Sequence, residues 1–472
     1  MSFPFFGREK VIGSKAPDAL YVGRYRDPAT GKPGAKIQIP GTEPAAIIGR
    51  NRSGKDTGIT IPNALTRRGL STVWWDTRGE GAAISLPYRS TLGPAWIDNP
   101  FGELVGIPGY ADLQSDGVNL LKARDLDPDN PLCFDHVCAL IEPMIPAEGD
   151  HQPFFPMSGQ SLYAAVAMQE LKEAKREGGR DPSLVRVRMK GTEADEFEPN
   201  TGEPVKGIAA QARRMLAEGD PQICSLIGGF AGKATDGTRD VVATAAAHTK
   251  WLLSTAIGEN EKLALIDFAQ LGQVATSLYI SLPHNLVKTH AAYLRMVATA
   301  VLQPLFEPHE IPVCLWLNEF AAMGRVSAID SALGLVAGSG IQLVVVVQSL
   351  GQLAEHYERA WEAFLGQAGA VVLVGSAGDK FTADYLSARS GEMTIRQPHV
   401  GWSLNPGGAG LSSGDAYSRR PYLMPQDLYD IPPGQGYIWL AGLADPIPAC
   451  FPPYYDDPVL SRRARANPYY RG

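Results

Sequence analysis

The chain has 472 residues, 44% of them hydrophobic, which is enough for a sizeable core and about two to four domains. Its formal net charge of −7 excludes a general attraction to nucleic acid, so any DNA contact needs a local basic surface such as the lining of a ring. Cys133, Cys138, Cys224, Cys314 and Cys450 form no Cys-x-x-Cys pair, which argues against a disulfide framework, and no apolar run approaches the roughly 18 residues of a membrane-spanning helix.

The start, Met1 to Arg8, carries Phe3, Phe5 and Phe6 without the length or cleavage pattern of a signal peptide; docking on the body is favoured over dipping into a membrane surface. From Asp27 to Pro44 the Gly and Pro content predicts turns leading into a first sheet, with Ala35 to Ile39 an edge strand. The apolar run Ala45 to Ile48 then reaches Gly49-Arg50-Asn51-Arg52-Ser53-Gly54-Lys55-Asp56-Thr57. Two glycines five apart between a buried strand and a helix let successive backbone N–H groups curl around phosphate oxygens, with Lys55 against the terminal phosphates. The following helix adds its positive end to the same anion site. The motif expects Ser or Thr after the Lys as a hydroxyl ligand for Mg²⁺, and Asp56 stands there instead.

A helix is expected from about Lys55 to Arg67, ended by Gly69. Ser71 to Asp76 reads as a buried strand with an acid at its end, then Thr77-Arg78-Gly79-Glu80 and another helix, then a third strand, Pro94 to Asp98. Strands alternating with helices predict an α/β fold with a parallel sheet, and ligands collect at the carboxyl ends of such strands, where Gly49 and Asp76 both fall.

From Pro128 the texture turns helical: Phe134 to Ile145, Gly159 to Glu177, Gly207 to Glu218 and Arg239 to Leu253, with a polar surface loop from Gly191 to Lys206. We read 1–126 and 259–472 as two parts of one nucleotide-binding domain and 127–258 as an inserted all-α domain. Strand character returns at Ala264 to Phe268 and Thr276 to Leu282; a helix, His290 to Phe306, leads to the strands Val313 to Glu319, Gln342 to Val347 and Ala370 to Val374. By composition, Gln397 to Gly414 is a flexible loop, and the basic, aromatic tail from Ser461 to Gly472 is poorly packed.

The apolar run ending in Asn318-Glu319 is where a P-loop ATPase places its second acidic motif, whose first acid helps hold Mg²⁺ and whose second orients the attacking water. Gln348, at the end of the next apolar strand, can sense a γ-phosphate or merely cap the strand. Arg325 and Arg389 are candidates for arginine fingers in trans or ordinary surface residues. Asp76 and Glu80 can contact metal or water, or cap a helix. Arg50 and Arg52 can face phosphates or a subunit contact. His151, His284, His290 and His309 lack metal-ligand spacing.

These positions carry a family resemblance. Arg52-Ser53-Gly54-Lys55 with Ile61-Pro62-Asn63, Asp76-x-Arg78-Gly79-Glu80, Asp98-x-Pro100-Phe101-Gly102, Asn318-Glu319-Phe320-x-x-Met323-Gly324 and Val346-x-Gln348-Ser349-x-x-Gln352-Leu353 resemble the type IV coupling proteins, the conjugative-transfer ATPases of type IV secretion systems. Phe154 to Leu171, Arg420-Pro421 and Leu423-Met424-Pro425 match as well. The resemblance implies a RecA-like P-loop domain with an inserted all-α domain, a homo-hexameric ring with ATP and Mg²⁺ between subunits, and delivery of DNA, relaxase or effector proteins to the secretion channel at the inner membrane. It assigns Gly49, Gly54 and Lys55 to the phosphate loop, Asn318 and Glu319 to the acidic motif and Gln348 to the sensing Gln, with Lys55 and Glu319 converging at adjoining strand ends.

Three departures from the family pattern stand out: no N-terminal transmembrane anchor, Asn318 for the usual Asp, and Asp56 in the loop. The first leaves two expectations: a cytoplasmic member recruited to the membrane by a partner, or a soluble segment of something longer. A carboxylate about 4 Å from a phosphate charge costs roughly 4 kcal/mol at an effective dielectric of 20, and the sign reverses if Mg²⁺ intervenes. One reading therefore moves the metal ligand to Asp56, with Asn318 acting through water; another is a catalytically degenerate adaptor that recruits protein cargo. A third is a cytosolic DNA-translocating ATPase unconnected with secretion.

Overall fold

The computed structural model describes residues 11–122, 126–147, 152–318, 323–405 and 408–469. Phe3, Phe5, Phe6, His151 and Glu319 lie outside them. The chain divides into two compact units, one of residues 1–67 and 344–462, the other of residues 68–343 and 463–472.

In the first unit the strands run in the order Val11–Gly13, Pro33–Ile39, Leu20–Arg26, Ile447–Cys450, Gln435–Leu440, Ala370–Val374, Ala45–Gly49, followed by residues 344–347 at the end of Ile341–Val347. Ala45–Gly49 is parallel to both neighbours, with Gly49 opposite Val374 and Ile48 opposite Val347. All five of its residues are buried, as a strand covered on both faces requires. Pro33–Ile39 is not an edge: it pairs with Leu20–Arg26 on one side and Val11–Gly13 on the other. The three-residue outer strand is too short to show a period in sequence.

Among the described residues, Gln397 to Gly414 is not a loop. Glu392–Asn405 and Gly408–Pro421 pair antiparallel from Glu392↔Pro421 to Asn405↔Gly408 and form a sheet of their own. The glycines and serines that suggested a loop sit in a regular cross-strand ladder, whose partners are chosen by register rather than by composition.

The second unit has four parallel strands in the order Val313–Asn318, Ser71–Trp75, Ser277–Ile280, Ala95–Asp98. Trp74 stands opposite Trp316 on one side and Tyr279 on the other, with ring centroids 4.8 and 6.2 Å away, an aromatic row across three strands. The strand expected at Ala264 to Phe268 is absent. Ala264 takes φ +51°, and Asp267 accepts from the Ala269 amide at 3.0 Å to open a 3₁₀ turn, Phe268–Gly272. Local side-chain capping overrides the apolar pattern there.

Helix Phe154–Arg176 packs against Cys133–Ile141, Leu184–Gly191, Pro221–Ile227 and Asp236–His248. A Cβ at Gly159 would lie 3.2 Å from Ala245 Cβ, so glycine permits the close approach to the last of these. The segment expected as a loop at Gly191 to Lys206 contains a small antiparallel pair, Glu196–Phe197 with Pro204–Lys206. Glu170 is fully buried and bonded to Arg180, Arg186 (2.7 Å) and Lys190 (2.9 Å). Burial alone would raise its pKa; the three cations outweigh that and bring it down to about 2.

The tail is packed, at least to Tyr469: Tyr110 donates from its hydroxyl to Ala466 O at 2.6 Å, and Asn467 donates to Glu80 Oε1 at 2.6 Å. Among the described residues, no helix is long and apolar enough to cross a membrane.

Candidate nucleotide-binding site

The site grows from the end of Ala45–Gly49 in the first unit. Arg52 (φ +64°) and Gly54 (φ +95°) both adopt left-handed backbone, which turns the chain back on itself. The Ser53 amide donates to Arg50 O at 3.1 Å, and the Gly58 amide to Gly54 O at 2.8 Å, closing the first helical turn. Residues Asp56–Thr60 form a wide π-type turn before Ile61–Ala64, so the expected helix stops at Ala64, short of Arg67. Asn63 holds this helix to the sheet, with its amide accepting from Tyr21 N at 3.0 Å and donating to Tyr21 O at 2.8 Å.

Close neighbours fix the loop. A Cβ on Gly49 would lie 2.7 Å from Ser53 Oγ and 3.0 Å from Val374 O, so the loop folds directly over a bare glycine. The Gly434 amide donates to Ser53 O at 2.9 Å. A Cβ on Gly375 would meet Ser53 Cβ at 3.1 Å, and one on Gly378 would meet Arg50 Cγ at 3.4 Å. Gln348 follows Val347, whose partner is Ile48, so it stands beside Gly49 at the same sheet edge. Its backbone amide donates to Gln352 Oε1 at 3.3 Å, and Ser349 caps helix Leu350–Tyr357. Asp379 caps helix Lys380–Arg389 by accepting from the Thr382 amide at 2.8 Å.

Lys55 is only 8% exposed, and its ammonium lies 3.7 Å from Asp56 Oδ2, on a side chain that is 47% exposed. Thr57 donates to Gly54 O at 3.3 Å. Ser53 Oγ is buried and has no hydrogen-bond partner among the described residues. A largely buried lysine side chain, an orphaned hydroxyl and a curled backbone fit an anionic group. Among the described residues no cluster of three His, Cys, Asp or Glu could hold a metal by itself. Asp56 offers a carboxylate at the loop, and Mg²⁺ typically takes one or two carboxylates and otherwise phosphate oxygens and water.

The structure thus gathers Gly49 to Thr57 and Gln348 in one unit. Asn318 belongs to the other, where its Oδ1 accepts from Trp316 Nε1 at 3.1 Å, two residues back on the same strand face. In that second unit Asp76 accepts from the Ala82 amide at 2.8 Å, and Glu80 takes the Asn467 amide, so both carboxylates have structural partners. Arg325 pairs with Asp330 at 2.8 Å, and Arg389 donates to Leu365 O at 3.3 Å. Sequence reasoning missed Gly375, Gly378, Asp379 and Gly434. The run Gly375-Ser376-Ala377-Gly378-Asp379 after a buried strand was a readable signal for the first three; Gly434 had none.

A RecA-like P-loop fold with an all-α domain is what this architecture defines. Two solved structures share it: the bacterial conjugative coupling protein TrwBdeltaN70 in unbound form (TM-score 0.63, 15% identity, covering 93% of this chain and 89% of that one) and TrwB in complex with the ATP analogue ADPNP (TM-score 0.62, 16% identity, 96% and 92%). The chain belongs to the type IV secretory system conjugative DNA transfer family, whose model matches residues 7–469. It is 22% identical over 403 residues to the conjugal transfer protein TraG of Agrobacterium fabrum (strain C58 / ATCC 33970), covering 82% of this chain and 57% of that protein. It is 24% identical over 372 residues to protein VirD4 of Rhizobium radiobacter, covering 76% and 49%. The chain therefore spans about half the length of these curated relatives.

Proposed function

We propose that this chain is a coupling ATPase of a type IV secretion or conjugation system, binding ATP and Mg²⁺ at Gly49 to Thr57 and passing DNA, relaxase or effector proteins to the secretion channel. The observation that carries this reading is the curled loop with its largely buried Lys55 side chain and unpartnered Ser53 hydroxyl. Complexes of TrwB with ADPNP and with ADP and Mg²⁺ support it. When bound, the nucleotide supplies the hydrolysable phosphate bond. Backbone N–H groups of the loop other than that of Ser53, which donates to Arg50 O, would hold its phosphates, Lys55 would neutralise them, and Asp56 would take the metal, with Asn318 contributing through water. Glu319 would orient water, and Gln348, beside the loop, would report the occupied state to helix Leu350–Tyr357. Assembly as a homo-hexamer and cargo selection by a helical domain of residues 127–258 belong to the same proposal, as does a cytoplasmic position held at the inner membrane by partners.

A second reading is a nucleotide-binding adaptor without turnover. Asn318 favours it, because a neutral amide whose oxygen already takes an indole N–H cannot replace an aspartate's charge. Steady-state ATP hydrolysis by the purified oligomer, with Lys55→Ala and Glu319→Gln as controls, separates the two. Turnover lost in both variants supports the motor. Binding without turnover supports the adaptor, and activity indifferent to both substitutions overturns the assignment of the site.

A further inference from the structure

Arg463 closes helix Pro458–Arg463, and from there to a turn at 468–469 the chain lies on the second unit without further regular structure, every second side chain meeting the body. The Arg463 guanidinium stands over the Tyr88 ring at 4.8 Å, and that of Arg465 over Tyr110 at 4.4 Å. Arg465 also donates to Ala83 O at 2.6 Å and Gly109 O at 3.1 Å and pairs with Asp112 at 2.6 Å. Asn467 donates to Glu80, and the Tyr469 hydroxyl donates to Arg78 O at 2.7 Å while the Arg78 guanidinium covers its ring at 4.3 Å. The main chain joins in, since the Arg465 amide donates to Ile84 O at 2.9 Å.

The contacts recur at i, i+2, i+4 and i+6, so alternate side chains of the segment find partners on the body. Each is a partly exposed cation–π pair, ion pair or hydrogen bond, individually weak, and ordering the segment opposes them all. No core-sized apolar side chain anchors it.

We infer that Arg463 to Tyr469 is a displaceable strap, and that the face built from Arg78, Glu80, Tyr88, Tyr110 and Asp112 recognises a peptide with Arg, Arg, an amide and Tyr at alternate positions. The occupant is the chain's own segment. The face begins at Thr77 to Glu80, immediately after strand Ser71–Trp75, at the carboxyl edge where ligands gather in parallel sheets. The docked strap therefore masks that edge, and its release uncovers the Glu80 carboxylate.

Hydrogen exchange of the full chain, read by mass spectrometry on its carboxyl-terminal peptide, tests this. Exchange there should be at least tenfold slower than in a synthetic peptide of residues 461–469. Asp112→Ala and Tyr469→Ala should each speed it by about fivefold, the scale of one surface contact. An acetylated peptide of residues 463–469 added in trans should also speed it, whereas one with Arg and Ala exchanged to shift the register should not. Unchanged exchange in helix Phe154–Arg176 shows that the fold is intact. Exchange as fast as in the free peptide, no response to the added peptide, or equal response to the shifted one overturns the inference. Protection that disappears on dilution would also overturn it, by assigning the strap to a second copy.

Discussion

The Lys55 ammonium lies 3.7 Å from the Asp56 carboxylate, so the loop carries its own counter-ion at the position where the motif normally has a hydroxyl. The pair is lopsided: Lys55 is buried and Asp56 is half exposed. An incoming triphosphate must compete with Asp56 for the ammonium, unless a cation takes the carboxylate away.

Asp56→Ala should therefore affect nucleotide binding in opposite directions with and without metal. Because Asp56 is half exposed, the effect is discounted from the close-pair value to about 1 kcal/mol, roughly fivefold in affinity. Titration calorimetry with ATP in EDTA should show tighter binding than wild type, and in Mg²⁺ weaker binding. The same sign in both conditions would exclude Asp56 as the metal ligand.

Gly49→Ala places a methyl 2.7 Å from Ser53 Oγ and 3.0 Å from Val374 O, on a strand buried on both faces. The Ser53 hydroxyl must turn away, and Val374 O cannot withdraw without breaking the parallel pairing. Overpacking of this kind costs about 1–3 kcal/mol. Urea unfolding should show that loss, and nucleotide binding should fall with it; a midpoint equal to wild type would refute the crowding.

Asp98 is buried at the end of Ala95–Asp98, accepting from Asn260 Nδ2 at 2.8 Å and from the Tyr293 hydroxyl at 2.6 Å. Burial pushes its pKa up to about 6, against the partial relief of those two bonds. The folded chain holds this proton to about pH 6, whereas the unfolded chain releases it near pH 4. This contribution to stability is therefore intact below about pH 4 and declines as the pH rises to about 6, by about 3 kcal/mol in all. In Asp98→Asn the amide can donate to the Tyr293 oxygen, and the wild-type-minus-variant difference in unfolding free energy should carry this slope. A flat difference between pH 4 and 6 would rule it out.

The ribbon of Glu392–Asn405 and Gly408–Pro421 forms a separate sheet whose base is closed by the Tyr422 amide on Gly391 O at 2.9 Å and by the Leu423 amide on Ser390 Oγ at 3.0 Å. Replacing residues 392–421 by a two-residue turn should leave the unfolding free energy within about 0.5 kcal/mol of wild type, the range of changes away from a core. Calorimetry showing a larger loss would mean that the ribbon contributes to the body.

By itself the sequence determined the elements whose signal lies within one turn of chain. Glycine spacing around Lys55, the apolar strands Ala45 to Ile48 and Ala370 to Val374, and helix Gly207 to Glu218 were all legible, because backbone freedom and apolar period act locally. Only the tertiary structure decided what closes over the loop. Gly375 and Gly434 meet Ser53 through strand pairings set by residues hundreds of positions apart. It also decided the fate of two segments that composition marks as loose. In the ribbon, cross-strand register organises glycine-rich chain; in the tail, alternate Arg, Asn and Tyr side chains find partners that no local pattern announces.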